Sequence, residues 1–296
     1  MANSSNKELK AKYLSIGIDE KTLLNEPSLK LLEESFPGIK DTINYCAKLG
    51  FPWESGRLFI KEGLSHVGFF ECPILIENKW HKIGALHAIC TKSTHRNQGL
   101  ASQLIKEALK WGESRCECVI LFTDIPEFYE KLSFQKVQEY RFHLDCKHAK
   151  GSKALTPMVA PKDDPLFLNC FKNREPLSNC LWIKDTGLIS SFNALFTSYP
   201  IYWSLYYSPA IDGLICWVLE DKTMHLFDVV ASKMPSLDQI LDHLPASIEE
   251  VYFYFSPDRL TQDAVKEPYL YDKGHLMVYG ALPCAKPFMI APLSRC

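Results

Sequence analysis

The sequence lacks any run of about 18 apolar residues, so it offers no candidate for a membrane-spanning helix. Its 296 residues carry a formal net charge of only −2, which argues against a broad electrostatic surface for nucleic acid or acidic lipid. Residues 1–7 are polar and lack the apolar core of a secretion signal. We therefore expect a cytoplasmic protein that binds neither nucleic acid nor membrane.

The cysteines lack the paired spacing of a disulfide framework or a structural zinc site. There are eleven of them, an odd number, and Cys90 and Cys216 lie in apolar, strand-like segments. Cys116 and Cys118 form a lone C-x-C with no second ligand pair nearby. We expect reduced, buried thiols and no metal.

The composition indicates a globular chain long enough for two domains, with 47% hydrophobic and 23% charged residues. Residues 147–165 are rich in Lys, Ala, Ser, Pro and Asp, which is typical of a linker. We predict a first domain over residues 1–146, a linker over 147–165 and a second domain over 166–296.

Apolar periodicity in the first domain predicts strands and helices around one central sheet. We therefore predict an α/β (α+β) fold with a mixed central sheet flanked by helices. The predicted elements are a strand over 12–18, helices over 23–36 and 39–49, strands over 57–61, 64–76 and 80–91, a helix after Gly99, a strand over 118–122, a helix over 126–132 and a strand over 134–144.

One segment, Thr91 to Glu113, is more informative than the rest. A strand ends before it, a short polar turn leads to Gly99, and an amphipathic helix follows at once. This layout directs free main-chain N–H groups and the positive end of a helix dipole towards one place, which suits a phosphate-bearing ligand.

The second domain has the order strand, strand, helix, strand, strand, which is also the order in the back half of the first domain. The residues themselves are not repeated. Its predicted strands cover 214–219, 223–231, 251–255 and 275–279, and its helix covers 237–244. Residues 231–236 contain no glycine, so we expect no cofactor there. The aromatic run 199–207 fills a core or lines an acceptor pocket.

Two motifs resemble the GCN5-related N-acetyltransferase (GNAT) superfamily. Arg96-Asn97-Gln98-Gly99-Leu100-Ala101 fits the pyrophosphate motif Q/R-x-x-G-x-G/A, and the segment from Phe128 to Phe134 resembles F-Y-x-K-x-G-F. Ser133 stands where the family usually has glycine. A closer likeness is to the enhanced intracellular survival protein group, which has a second, degenerate GNAT-like domain behind the first.

The resemblance implies acetyl-coenzyme A as co-substrate. It places the pyrophosphate on the amides from Gln98 to Ser102, beside Arg96, and the pantetheine arm along the preceding strand. This arm needs the sheet to open between that strand and the strand over 118–122. The implied cofactor-binding residues are Ile89, Cys90, Thr91, Arg96, Asn97, Gln98, Gly99, Leu100, Ala101 and Ser102.

The resemblance makes Tyr129 the general acid, because a phenol is protonated at neutral pH and can donate a proton. His87 and Asp124 are candidate bases, but His87 is also explained as an idle strand histidine and Asp124 as a turn residue. A water relay and the C-terminal carboxylate of Cys296 are further alternatives.

These features together predict an N-acetyltransferase that moves an acetyl group directly to a primary amine of a small molecule or peptide. The alternative is a non-catalytic acyl-coenzyme A-binding or sensing module, or a scaffold that kept the fold. The second domain either walls the acceptor site or forms a homodimer.

Overall fold

The computed structural model describes residues 24–53, 56–159, 162–185, 187–196 and 204–295. They form two compact units. The first unit contains the described residues up to 70 together with residues 86–112, and the second contains residues 71–85 and the described residues from 113 onward. No described helix is both long and apolar enough to cross a membrane. The predicted strand over 12–18 and most of the aromatic run lie outside the described residues.

Elements up to residue 148 follow the predicted order closely. Asn25 caps the first helix by accepting a hydrogen bond from the Ser28 amide at 3.0 Å. Gly38, with φ 89°, separates the first two helices. The elements are α1 (Glu26–Ser35), α2 (Ile39–Lys48), β1 (Arg57–Lys61), β2 (Ser65–Ile76), β3 (Lys79–Thr91), α3 (Leu100–Gly112), β4 (Cys118–Thr123), α4 (Pro126–Glu130), β5 (Gln135–Val137) and β6 (Tyr140–His148).

Elements after residue 148 repeat the strand-rich pattern. They are β7 (Thr156–Pro157), α5 (Asp164–Asn173), β8 (Leu181–Ile183), α6 (Leu188–Phe196), β9 (Leu205–Ser208), β10 (Gly213–Glu220), β11 (Thr223–Ala231), α7 (Leu237–Leu241), β12 (Ile248–Phe253), β13 (Val265–Pro268) and β14 (His275–Gly280). β7 falls inside the predicted linker and pairs with β9. The predicted domain boundaries at residues 146 and 165 stay predictions.

The first sheet has the order β1-β2-β3-β4-β14-β5, with β8 paired to the end of β2. β3 and β4 run parallel, as their connection through a helix requires. Their ladder consists of two pairs, Gly84 with Val119 and Ala85 with Ile120.

The second sheet has the order β13-β6-β12-β11-β10-β9-β7. β6 therefore lies between β12 and β13, while β14 lies between β4 and β5 in the first sheet. The second sheet thus receives β6, and the first sheet receives β14 and β8, from the part of the chain that builds the other sheet. Both sheets are mixed and flanked by helices, so the predicted fold class is confirmed.

The single strand predicted over 134–144 is wrong, because the structure has two strands there. The break falls at Glu139, whose side chain is only 4% exposed. Its carboxylate accepts hydrogen bonds from the Arg295 guanidinium at 2.6 Å and the Ile290 amide at 2.9 Å. A buried carboxylate needs such partners, so Glu139 pairs with residues of the C-terminal segment and not within a strand. The chain leaves the first sheet at this residue and continues as β6 in the second sheet.

Candidate active site

Strand β3 contains a local irregularity three residues before its end. Ala88 has φ 48°, a left-handed conformation that is unfavourable for a residue with a side chain. Its carbonyl oxygen lies 2.9 Å from Nδ1 of the buried His66 on β2, which holds the irregularity in place. Ile89, Cys90 and Thr91 follow this point and lead into the turn.

The turn between β3 and α3 is exposed and closed by few internal hydrogen bonds. The His95 amide donates to the Lys92 carbonyl at 2.8 Å, and the Arg96 amide donates to the Ser93 carbonyl at 3.4 Å. Asn97 and Gly99 both have left-handed backbones, with φ 61° and 78°. A Cβ placed on Gly99 would meet nothing within 4 Å, so packing does not explain the glycine.

The start of α3 leaves its main-chain donors open. The first internal bond is donated by the Gln103 amide to the Gly99 carbonyl, at 2.9 Å. Among the described residues, none accepts a hydrogen bond from the amides of residues 97–102. A helix N-terminus with unsatisfied donors and the positive end of its dipole is suited to binding an anion.

The charge around this turn favours the same kind of ligand. Lys92 and Arg96 are both exposed, and the first acidic residue after Thr91 is Glu107. The Arg96 Nε donates to the Thr91 carbonyl at 3.3 Å, which anchors the side chain beside the turn. A guanidinium held in this way can add a charge-assisted bond to a phosphate.

The corresponding place after β11 is built differently. There Ser236 caps the short helix α7: its hydroxyl accepts from the Gln239 amide at 3.2 Å, and the Gln239 side chain accepts from the Ser236 amide at 2.8 Å. In α7 this capping box satisfies two main-chain donors of the kind that stay open at the start of α3. That the second domain binds no cofactor at this position stays a prediction.

Tyr129 lies on α4 in the second unit and is 6% exposed. Its ring packs edge-on against Phe128 and Phe134, with centroid distances of 4.9 and 5.9 Å. Burial, reinforced by the negative charge of Asp124, raises the pKa of Tyr129 to about 12. The phenol therefore keeps its proton at neutral pH.

Asp124 and Ser133 flank this helix. Asp124 is exposed in the turn before α4, where its carboxylate is free of the core. Ser133 has φ 67°, so it adopts the left-handed conformation for which a glycine is better suited. The departure from the family motif at this residue is accommodated at a cost of about 1–2 kcal/mol in backbone strain.

His87 lies in an aromatic cluster of the first unit and is 9% exposed. Its ring stacks on Phe70 at 4.1 Å and meets the edge of Trp53 at 5.0 Å. Its Nε2 is buried and has no hydrogen-bond partner among the described residues. Burial, together with the neighbouring His66, lowers the pKa of His87 to about 3, so the imidazole is neutral at physiological pH.

The buried histidines His66 and His87 predict how the free energy of unfolding changes at acidic pH. The pKa of His66 is lowered to about 4, also by burial. Between pH 6.5 and these values the unfolded chain binds protons that the folded chain does not, so the free energy of unfolding must fall as pH falls. We expect a loss of about 1.4 kcal/mol per pH unit from each histidine below about pH 6.

Urea unfolding at pH 7, 6 and 5 would measure this loss, with His87→Gln as the control. In the variant, about half of the pH dependence of the unfolding free energy that the two histidines produce should be lost, because glutamine does not titrate. Equal pH dependence in the variant and the wild type would mean that folding does not lower the pKa of His87.

Cys90 offers a thiol beside the turn, but the structure gives it little nucleophilic character. It is buried, and burial raises the pKa of its thiol to about 11. Since the thiolate is the reactive form, Cys90 is unsuited to carry an acetyl group.

In sequence, residues 27–134 match the model of the Acetyltransferase (GNAT) family. No curated protein sequence matches the chain.

Structural comparison matches the chain to three solved proteins, of which the first has a TM-score above 0.5 and a similar fold. A probable N-acyltransferase from Enterococcus faecalis V583 has 10% identity and a TM-score of 0.52, and the match covers 86% of this chain and 70% of that one. A GCN5-related N-acetyltransferase from Kribbella flavida has 15% identity and a TM-score of 0.47, covering 88% and 70%. Eis1 from Mycobacterium abscessus has 13% identity and a TM-score of 0.46, covering 73% and 63%.

The GNAT resemblance is thus confirmed, and acyl transfer is the class of reaction that the family supports. The structure brings the predicted residues from Ile89 to Ser102 together in one stretch of the first unit, and Asp124 beside Tyr129 in the second. Sequence reasoning missed the irregularity at Ala88 and its support by His66. No local signal indicates either, since both residues lie in ordinary strand patterns.

Proposed function

We propose that this protein transfers an acetyl group from acetyl-coenzyme A to a primary amine of a small molecule or peptide, by direct transfer in a ternary complex. One observation carries the proposal: the main-chain donors of residues 97–102 are left open at the start of α3. A diphosphate is an anion of the size and charge that such a cradle can hold.

The residues around the cradle fit the other parts of this co-substrate. The bare Cα of Gly99 leaves room for close approach, and Lys92 and Arg96 supply positive charge. The pantetheine arm is assigned to the main chain of Ile89, Cys90 and Thr91, beyond the short ladder between β3 and β4. When bound, acetyl-coenzyme A supplies an activated thioester.

Within this proposal, Tyr129 is the general acid, since its phenol keeps a proton at neutral pH. The candidate bases are His87, which is neutral and buried, and the exposed Asp124. A water relay is the alternative to both. The protonated Cys90 leaves direct transfer to the amine as the favoured route.

Titration calorimetry with coenzyme A and with pantetheine tests the cradle, because pantetheine lacks the pyrophosphate. We expect coenzyme A to bind at least about 100-fold more tightly, a difference of about 2.7 kcal/mol. Equal affinity for the two compounds would exclude the cradle as the binding site.

A thiol-release assay with acetyl-coenzyme A over a broad panel of amines then tests catalysis. Release that depends on an added amine supports acetyl transfer. Tight binding without release across the panel would support the acyl-coenzyme A-sensing module.

A further inference from the structure

The second unit contains a pocket of about 410 Å³ that plays no part in the proposed acetyl transfer. Its volume falls within the range of small-molecule sites, which is about 300–1,000 Å³. The wall is mainly polar and combines amides, hydroxyls, a carboxylate, an ammonium and a thiol. The residues that matter are Asn78, Cys180, Ser256, Asp258 and Lys286.

Cys180 lines this pocket, and a second thiol, that of Cys284, lies beside Cys180. Cys180 is 6% exposed and its Sγ lies 3.6 Å from the Pro287 carbonyl. Cys284 is partly exposed, and its Sγ lies 3.9 Å from the main-chain carbonyl of Cys180. The structure shows both as free thiols.

The surroundings of Cys180 favour its thiolate. The neighbouring Cys284 thiol and the positive charge of Lys286 lower the pKa of Cys180 against the opposing effect of burial. By contrast, burial raises the pKa of Cys46 and of Cys118 to about 12. A buried thiol is normally inert, so Cys180 stands apart from the other buried cysteines.

The pocket also holds a polar group that lacks a conventional partner. The Ser256 side chain is 2% exposed, and no described residue forms a hydrogen bond of good geometry with its hydroxyl oxygen. Buried hydroxyls are nearly always paired, so this one is available to a ligand that enters the pocket. Asp258 is already fixed at the wall, where it accepts from the Asn179 amide at 2.9 Å.

We propose that this pocket is a thiol–disulfide exchange site for a low-molecular-weight disulfide of peptide character, with Cys180 as the attacking thiol and Cys284 as the resolving thiol. Lys286 binds a carboxylate of the ligand, and the amide of Asn78 together with the Ser256 hydroxyl binds its peptide groups.

The exchange balances without a further oxidant. The Cys180 thiolate attacks one sulfur of the ligand, so a mixed disulfide forms and one ligand thiolate leaves. Cys284 then attacks the sulfur of Cys180, which forms the internal disulfide and releases the second ligand thiolate. The two protons from the protein thiols go to the two ligand thiolates, and the ligand is reduced by two electrons.

The test uses the reduced full chain, glutathione disulfide as the probe, an acid quench and peptide mass spectrometry. In the wild type we expect an internal Cys180–Cys284 disulfide. In Cys284→Ser we expect a lasting glutathione adduct on Cys180, and in Cys180→Ser we expect no more adduct on Cys284 than on Cys116.

Cys116 is the internal control, because it is more exposed than Cys180 but has a pKa raised to about 11. Cys180 should react at least about tenfold faster than Cys116. Lys286→Met should slow the reaction with glutathione disulfide severalfold while leaving that with uncharged hydroxyethyl disulfide unchanged.

The wild-type arm needs no variant to fold and decides the proposal by itself. A wild-type chain that keeps both thiols free while Cys116 is modified would overturn it, as would an adduct that builds up on Cys284 first. Melting curves of the variants show whether they are folded.

Discussion

Replacing Gly99 by glutamate is expected to abolish binding of acetyl-coenzyme A, with a loss of at least about 100-fold in affinity. The open space beside the Gly99 Cα would then hold a carboxylate among the donors of residues 97–102. This carboxylate would occupy the amides and repel the diphosphate. Titration calorimetry measures the loss directly.

Gly50→Glu is the matched control. Gly50 also has a left-handed backbone, with φ 93°, and nothing lies within 4 Å of its Cβ position. Both substitutions should cost about 1 kcal/mol of stability through the same backbone strain. Only Gly99→Glu should lose affinity. Equal affinity in the two variants would refute the assignment of the pyrophosphate to this turn.

Replacing Tyr129 by phenylalanine is expected to lower turnover by at least about 100-fold while coenzyme affinity stays within about twofold. A positioned general acid contributes about this much to the rate. The ring contacts with Phe128 and Phe134 are kept in the variant, so the fold should lose only about 1 kcal/mol. Steady-state thiol release and calorimetry on the same preparation separate the two effects.

Tyr279→Phe is the control for this experiment, because the Tyr279 ring also packs against Phe134, with a centroid distance of 5.6 Å. It removes a phenolic hydroxyl from the same cluster and should leave turnover unchanged. A similar loss in both variants, or a parallel fall in affinity, would assign Tyr129 a structural role instead.

Local chemistry explains why the cradle could be predicted from the sequence. A strand end, a polar turn, Gly99 and an amphipathic helix are contiguous, and their main-chain geometry follows from neighbouring residues. An amphipathic helix after Gly99 is predicted for the same reason. On α3, Leu104, Ile105 and Ala108 are buried, while Ala101 and Trp111 are half-buried.

The exchange of β6 and β14 between the sheets could not be predicted in this way. An alternating or apolar residue pattern predicts that a strand is buried, but it does not predict which neighbouring strand it pairs with. The choice depends on long-range partners, such as the ion pair between Glu139 and Arg295, which are 156 positions apart in the chain. Nothing within a few residues of Glu139 indicates that pairing.

The same division applies to the candidate base and to the thiol pair. The sequence places His87 on a strand, but the pKa of its ring is lowered by burial, to which Phe70 and Trp53 contribute, and by the neighbouring His66. Spacing gave no reason to join Cys180 with Cys284. The sequence by itself determined the GNAT resemblance and the mixed fold, and it predicts a phosphate-binding turn, because these rest on adjacent residues. Tertiary structure alone decided strand exchange, proton affinities and which thiols meet, because these depend on groups that folding brings together from distant positions.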